Sequence, residues 1–477
     1  MIRSPLPSTL GVGILHLGLG AFHRAHQAAF TQDAIAEAGG DWGIEAVSMR
    51  NPALAELLNR QNGTYSLIER RPEGPRILEM TVIRKARALP GRVQEVASRM
   101  ADPAIRIVTV TVTEKGYGAS AERRLNLSDP GVAHDLLAPD EPPQSLAGLI
   151  TAGLAKRRTA GLGGLTVMSC DNLPENGRLL GALVSEFAEE ADPSLARWIA
   201  DTCRFPNSMV DRITPAATDK TFELVESEVG KVDRAAIETE PFRQWVIEDD
   251  FAGPRPAWEE AGALIVPDVA AFETMKLRLL NGSHSLIAYL GALSGYPAVR
   301  DVVGDAGRRA VVRRHMADSA ETLYSAPGLD PDAYADALIT RFANPAIDHR
   351  CLQIAMDGSQ KLPQRIFAPA RTQLDTERGI GTFALATAAW IKFAGGRDDN
   401  GRGIDLNDPL ADNIRRALAA SEDSPAARVA AIAGLAGLAH HGVLDNARFL
   451  RATVELLSLL DRVGARAAAA VALNSMD

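Results

Sequence analysis

The run Glu273-Thr-Met-Lys276-Leu-Arg-Leu-Leu-Asn281-Gly-Ser-His284-Ser-Leu-Ile sets four polar side chains into an otherwise largely apolar stretch. On an α-helix turning about 100° per residue, with Lys276 at zero, Glu273 falls near about 60°, His284 near about 80° and Asn281 near about 140°. All four therefore share one side. A mostly buried helix must satisfy such groups somewhere, either in a hydrogen-bonded seam between helices or in an active-site cleft. In the cleft, desolvation lowers the pKa of Lys276 and makes it a usable general base, while Glu273, one turn earlier, tunes it or leads its proton to water. Only eight of the 51 basic residues are lysines: Lys85, Lys115, Lys156, Lys220, Lys231, Lys276, Lys361 and Lys392. Arginine cannot lose its proton near neutral pH, so few positions can do this chemistry.

A base of this kind suits removal of a hydroxyl proton while the carbinol carbon gives up hydride, and the N-terminus offers a place for a hydride carrier. Val12-Gly-Ile-Leu-His-Leu17 reads as a strand, followed by Gly18-Leu-Gly20-Ala21-Phe22-His23-Arg24 and a helical stretch to about Ala38. Glycines there permit a tight turn and close approach to a pyrophosphate, in the first strand-to-helix turn of a doubly wound sheet. Gly18, Gly20, Ala21 and Phe22 are the candidate cofactor contacts. His23 holds the position of the usual third glycine. At the end of the second strand, Ser48-Met-Arg50-Asn51 stands where an acidic residue is expected. Nothing in that loop repels a 2′-phosphate and Arg50 could attract one, so NAD is the expected cofactor with NADP left open.

Other routes to alcohol oxidation leave traces that are missing. Zinc chemistry needs Cys and His ligands, whereas Cys170, Cys203 and Cys351 are unclustered and the histidines lack metal-type spacing, so no metal is expected. None of the six tyrosines has a lysine four residues on. A lysine or histidine base remains. Ser169-Cys-Asp171-Asn172 follows an apolar strand, placing both polar residues at its carboxyl end, where ligands bind in open α/β sheets. Asn172 could donate to a substrate oxygen as charge develops, and Asp171 is a cofactor contact or an Asx turn. Glu114, in Thr113-Glu-Lys115, is cofactor contact or loop charge. Asp357-Gly-Ser-Gln-Lys361-Leu-Pro-Gln-Arg365 brings two positive groups to a substrate carboxylate, or is a solvated capping loop.

The elements that would position these groups form an α/β fold: a Rossmann-like doubly wound sheet domain followed by a mostly α-helical domain. Strands are expected at Val12–Leu17, Ile44–Met49, Thr81–Ala88, Ile105–Thr113 and Leu165–Ser169, with helices dominating from about Leu183. The long periodic segments are Glu273–Leu293, Ala306–Tyr324, Phe383–Phe393, Leu410–Ala420 and Asn446–Ala472. Proline and glycine punctuation between about 205 and 250 marks the seam. The expected division is residues 1–235 and 236–477, with a strand at 262–268 as a candidate addition to the first domain. Sixty acids against 51 bases give a charge of −9, which argues against nucleic acid or anionic lipid as partner. The start, Met1-Ile-Arg-Ser-Pro-Leu-Pro, lacks an apolar signal core, and the Val429–Ala439 run is too short to span a bilayer. A cytoplasmic monomer acting on a small molecule is the resulting expectation.

Six motifs in order carry a family resemblance: Gly18-Leu-Gly-Ala-Phe-His-Arg-Ala-His26, Thr111-Val-Thr-Glu-Lys-Gly-Tyr117, Met168-Ser-Cys-Asp-Asn172, Phe205-Pro-Asn-Ser-Met-Val-Asp-Arg212, Trp245-Val-Ile-Glu-Asp249 and Lys276-x-x-x-x-Asn281-x-x-His284. Together they resemble the polyol-specific long-chain dehydrogenases, the family of mannitol 2-dehydrogenase, fructuronate reductase (mannonate oxidoreductase) and arabinitol dehydrogenase. The resemblance runs from about residue 11 to at least 400. It implies that Lys276 is the general base, that Asn172 and Asn281 form an oxyanion pocket, that His284 orients the substrate, that Glu273 gates the proton path and that Asp211 contacts sugar hydroxyls. Mannitol dehydrogenases of this family commonly carry an arginine eight residues before the lysine of the Asp-Gly-x-x-Lys string; Gln353 stands there instead. The Asn-Gly-Ser-His and Asp-Gly-Ser-Gln-Lys-Leu-Pro-Gln-Arg spellings are more similar to the fructuronate reductase branch, and a sugar acid gives Lys361 and Arg365 a carboxylate to pair with. Mannitol or another polyol is the alternative substrate. A non-catalytic nucleotide sensor, the alternative of another class, has no need for the set Lys276, Asn172, Asn281 and His284.

Overall fold

The computed structural model describes residues 6–438 and 442–473. The first five residues of the N-terminal stretch and Ala439 of the apolar run lie outside them. Among the described residues no helix is long and apolar enough to cross a membrane. The chain divides into two compact units, residues 1–270 and 271–477.

Eleven strands occur among the described residues: β1 Val12–Leu17, β2 Gly43–Ser48, β3 Tyr65–Arg71, β4 Gly74–Met80, β5 Ile83–Ala88, β6 Ile107–Val110, β7 Thr166–Ser169, β8 Ser208–Asp211, β9 Ile237–Thr239, β10 Gln244–Glu248 and β11 Leu264–Val266. Five of them form a parallel sheet in the order β5-β2-β1-β6-β7. β2, β6 and β7 are buried along their whole length, which is why they read as short apolar runs without alternation. Helices cover both faces. One core gathers Phe30, Trp245 and Trp258 with Ile14 and Ile44, and the other gathers Ile150, Leu183 and Ile199 with Leu15 and Val108. The strand order reverses direction between β1 and β6, so the carboxyl ends of these two strands flank the switch-point crevice.

Two small sheets complete this unit. The β3–β4 hairpin takes β9 on its other side, and β10 joins β8 and β11. These strands bind residues 236–270 to the N-terminal unit, so the division falls later than the proline punctuation suggested. β11 is the strand expected near 262–268. The helical reading of residues from Leu183 onward misses β8, β9 and β10, each five residues or fewer, because runs that short carry little periodicity. The β3–β4 hairpin escaped notice because charged residues interrupt it and Pro75 sits inside β4, a mark of an edge strand.

The C-terminal unit is helical. Its core packs Gly381–Ala394 against the long Ala447–Leu473 segment and the buried Gly282–Leu293. The Ala447–Leu473 segment, expected to be a single helix, breaks at Gly464, where φ is 76°, and the Asp399 carboxylate accepts the Ala465 amide at 2.6 Å to cap the second part. Gly358 marks a close approach in this unit: a Cβ there would lie 2.4 Å from Trp390 Nε1 and 2.7 Å from Tyr289 Oη, both on buried side chains. Gly358→Ala is therefore expected to destabilise the protein by about 2–3 kcal/mol through overpacking, read as a lowered thermal unfolding midpoint; a variant that melts with the wild type would contradict this packing.

Candidate active site

In the N-terminal unit the turn after β1 is stitched to the strands on both sides. The amides of Gly18 and Leu19 donate to Val47 O at 2.9 Å, and the Thr111 amide donates to Leu17 O at 2.8 Å. Gly18 has a φ of 115°, and a Cβ would fall 1.8 Å from Thr111 O, so only glycine fits this crossing. Gly20 faces open space: the nearest atom to a Cβ added there would be Gly18 O, 3.7 Å away. Beyond the turn lies a cavity of about 600 Å³ that Gly18, Gly20, Ala21, Phe22, Arg50 and the residues around them line. Its size and glycine floor fit an extended dinucleotide. His23, in place of the third glycine, turns under the floor and stacks on His16 with ring centroids 3.3 Å apart. His16 is held by Thr109 Oγ1 at 2.8 Å and Gly18 O at 3.0 Å, and burial pushes its pKa down to about 3. Burial also holds the His23 ring well below the usual histidine range. Both rings are thus neutral spacers near neutral pH.

The structure gathers five of the seven candidate cofactor residues around this cavity and leaves two outside its lining. Glu114 is exposed, and its neighbours Thr113 and Gly116 line the wall instead. Asp171 stands behind the wall: its Oδ2 accepts from the Val112 amide at 3.0 Å and from Tyr117 Oη at 2.5 Å, and Tyr117 also meets Ser169 Oγ at 2.6 Å. It fixes the loop that lines the cavity rather than lining it. Burial raises its pKa to about 6, against the opposing effect of the two bonds it accepts. Asn172 follows at the carboxyl end of β7, where the Asn176 side chain pins the backbone by donating to Asp171 O and Ser208 O, both at 2.8 Å. Asp211 ends β8 and is buried, beside an Arg212 that binds Ala25 O at 2.5 Å and Glu69 Oε1 at 3.2 Å.

In the C-terminal unit the segment read as one α-helix changes pitch. Ala270–Met275 is α-helical, Lys276–Asn281 is π-helical, and α-helix resumes over Gly282–Leu293. A π-turn takes one residue more than an α-turn, which rotates everything downstream back by about 100°. His284 moves from about 80° to within about 20° of Lys276 on the helix face, and Asn281 shifts the same way. Lys276 and His284 are buried, each 9% exposed, while Glu273 and Asn281 are half-buried. Pro363–Phe367, at the end of the Asp357-Gly-Ser-Gln-Lys361 string, is π-helical as well. Arg365, on this stretch, reaches Asn281 O and Ser285 Oγ, both at 3.5 Å, and Ser285 Oγ donates to the same carbonyl at 3.2 Å. Burial lowers the pKa of Arg365 below the usual guanidinium range. Lys361 donates to Met356 O at 2.6 Å and lies 3.7 Å from Asp357 Oδ2; burial and then Arg365 lower its pKa.

The C-terminal unit thus brings Lys276, Asn281, His284 and Arg365 onto one pair of facing helical stretches. It adds two residues that sequence reasoning passed over. The His284 ring lies 4.7 Å from the Phe342 ring and 5.5 Å from His349, centroid to centroid, so an aromatic pair fixes its plane. The available signal was a histidine in Asp348-His349-Arg350, a stretch without periodicity. Among the described residues no group of three or more His, Cys, Asp or Glu side chains is arranged to hold a metal ion.

A switch-point sheet followed by a helical unit carrying a buried lysine defines a class, and the chain belongs to the mannitol dehydrogenase family of oxidoreductases: residues 12–260 match the mannitol dehydrogenase Rossmann domain and residues 268–452 the mannitol dehydrogenase C-terminal domain. Among individual relatives, the D-mannonate oxidoreductase of Escherichia coli K12 is 42% identical over 468 residues, covering 96% of this chain and 95% of that protein. The substrate-free crystal structure of a D-sorbitol dehydrogenase superposes with a TM-score of 0.89 at 30% identity, covering 96% of this chain and 95% of the other. The Pseudomonas fluorescens mannitol 2-dehydrogenase in ternary complex with NAD and D-mannitol superposes with a TM-score of 0.78 at 32% identity, covering 98% and 95%.

The Asp171 environment yields a pH signature. Its pKa is about 6 when folded against an ordinary 3.8, so between about pH 4 and 6 the native state holds the proton more tightly than the unfolded chain and stability falls as pH rises. Asp171→Asn keeps an oxygen for both donors and removes that fall, so its stability relative to wild type should rise by about 2–3 kcal/mol across the window. Unfolding midpoints in urea at several pH values test this, and parallel curves for the two proteins would contradict it.

Proposed function

We propose that this chain is an NAD(H)-dependent oxidoreductase that interconverts D-mannonate and D-fructuronate without a metal, using Lys276 as the proton acceptor and donor. The observation that carries the choice of a sugar acid is Arg365. A half-buried guanidinium whose contacts with Asn281 O and Ser285 Oγ are both long, at 3.5 Å, is suited to a bidentate carboxylate. Lys361, one helical turn before it, adds a second positive charge. The identity to the E. coli D-mannonate oxidoreductase supports the same reading.

The cavity floored by Gly18 and Gly20 would hold the dinucleotide, whose nicotinamide ring supplies the hydride acceptor or donor. Lys276 takes the proton of the substrate hydroxyl as its carbon loses hydride, and returns it in the reverse direction. Burial favours the neutral amine that this step requires. Asn281 and Asn172 donate hydrogen bonds to the oxygen on which charge develops. His284, its plane set by Phe342 and His349, orients the hydroxyl, and Glu273 passes the proton onward. Asp211 contacts sugar hydroxyls. Because a lysine accepts the proton, no Lewis acid is needed to acidify the hydroxyl.

A second reading keeps these roles and replaces the sugar acid with mannitol and fructose; the structural likeness to a mannitol 2-dehydrogenase bound to D-mannitol favours it. NADH oxidation measured near pH 7 with D-fructuronate, D-fructose and D-xylulose, with and without EDTA, separates the two. D-Fructuronate should give the highest kcat/KM, EDTA should leave it unchanged, and Arg365→Ala should raise the KM for D-fructuronate about tenfold while changing that for D-fructose little. Fast turnover of fructose without fructuronate would overturn the sugar-acid assignment.

A further inference from the structure

We infer that His134 is a positioning residue for the N-terminal cavity: as an imidazolium it clasps the loop of residues 138–145, and loss of its proton slackens the cavity wall and weakens binding there. The inference rests on the dinucleotide reading of that cavity and adds to it a residue outside the lining.

The loop joins two helices, Pro130–Leu137 and Leu146–Thr159, and its last residues belong to the cavity: Pro143, Gln144 and Ser145 line it together with Leu146 and Leu149. Pro139, Pro142 and Pro143 leave the loop few amides of its own, so side chains fix most of its course. Asp135, buried near the end of the first helix, supplies the main anchor. Its Oδ1 accepts the Gln144 amide at 2.7 Å, and its Oδ2 accepts the Ser145 amide at 2.9 Å and Ser145 Oγ at 2.7 Å. Ser145 Oγ in turn accepts the Gly148 amide at 2.9 Å and caps the second helix. A Cβ at Gly148 would fall 2.1 Å from Asp135 Oδ2, so a glycine is what admits the carboxylate this close.

His134 adds the second anchor. Its Nδ1 lies 3.0 Å from Asp135 Oδ1 and its Nε2 3.0 Å from Glu141 Oε2, so one ring ties the end of the helix to the middle of the loop. A neutral imidazole carries a single N–H and satisfies one of the two carboxylates, whereas an imidazolium donates to both. Asp135 from its own helix and Glu141 from the loop are the charged groups that face the ring. The helices Leu146–Thr159 and Asn176–Ala191, packed against its own, place no described side chain in hydrogen-bond contact with it. The bonds to Asp135 and Glu141 raise its pKa above the usual 6.5, against a smaller opposing effect of burial. The doubly bonded state is therefore complete below 6.5 and is lost as pH rises through the raised value. Above it one carboxylate has lost its ring donor, and the loop that ends in the cavity wall is held at fewer points.

Two measurements on the full-length protein between about pH 7 and 9 test this. Asp171, whose pKa is about 6 and which stands behind another part of the wall, has already lost its proton at the start of that range. Backbone hydrogen exchange, corrected for the intrinsic effect of pH, should show the amides of residues 138–145 losing protection as pH rises. His134→Ala should show the high-pH level of protection throughout. NADH binding, followed by its fluorescence, should weaken about threefold in wild type over the same range. His134→Ala should bind at the weaker level at every pH, and His134→Arg, which keeps a charge and donors for both carboxylates, should bind at the tighter level at every pH. Loop amides equally protected in His134→Ala and wild type, or NADH binding that both variants leave as in wild type at each pH, would overturn the role of His134 and leave the dinucleotide reading standing. A wild type that binds no NADH would overturn that reading and the inference with it.

Discussion

A largely buried helical segment that must nevertheless carry a lysine, an asparagine and a histidine is the constraint on which the C-terminal unit turns. Residues 282–293, His284 among them, are buried without exception, and Lys276 is buried as well, so a polar group at these positions has little water to fall back on and costs several kcal/mol if left unmatched. The fold answers by gathering Lys276, Asn281 and His284 on one side of the segment. The π-turn over Lys276–Asn281 tightens that grouping, bringing His284 nearly in line with Lys276. A π-turn also disturbs the regular backbone hydrogen bonds, and Asn281 O is where two side chains gather, Ser285 from the same helix and Arg365 from the second π-turn. Backbone irregularity and side-chain chemistry thus coincide at one place.

The N-terminal unit meets a different constraint, the close crossing of the β1 turn and β6. Gly18 admits no side chain because Thr111 O occupies the space, and this crossing holds the mouth of the cavity in shape. Asp171 and Tyr117 brace the wall from behind, and His16 with His23 fills the floor from below. Neither bracing pair is among the residues lining the cavity, yet both decide where the lining residues sit. The cavity thus belongs to the sheet and the buried lysine to the helical unit.

Much of this was legible in the residues, and the boundary of legibility is physical. The β1 strand and its Gly18-x-Gly20 turn stand out because a fully buried strand is a continuous apolar run and a glycine pair marks the turn. The 273–293 stripe stands out because apolar periodicity over that length identifies a helix whatever its partners. The π-turns do not, since six residues are too few to distinguish one pitch from another. Lys276, Asn281 and His284 nevertheless share a side under either pitch. β8 to β10 and the β3–β4 hairpin were hidden for related reasons: short strands have little pattern, and Arg70 and Glu69 read as solvent-facing until their partners Glu238 and Arg212 are known. His349 was hidden because its contact with His284 joins residues far apart in sequence, and the exposure of Glu114 beside a wall lined by Thr113 and Gly116 is not something a strand end reveals.

The central claim is that Lys276 exchanges the reacting proton as a neutral amine, and chemical rescue tests it most directly. Lys276→Ala would be assayed for NAD-dependent oxidation of D-mannonate and of D-mannitol, with and without small primary amines, on protein whose circular dichroism matches wild type. The account predicts a loss of about three orders of magnitude in turnover and partial recovery that follows the concentration and basicity of the free amine. Near-normal activity in the variant, or a folded and inactive variant that no amine restores, would contradict it.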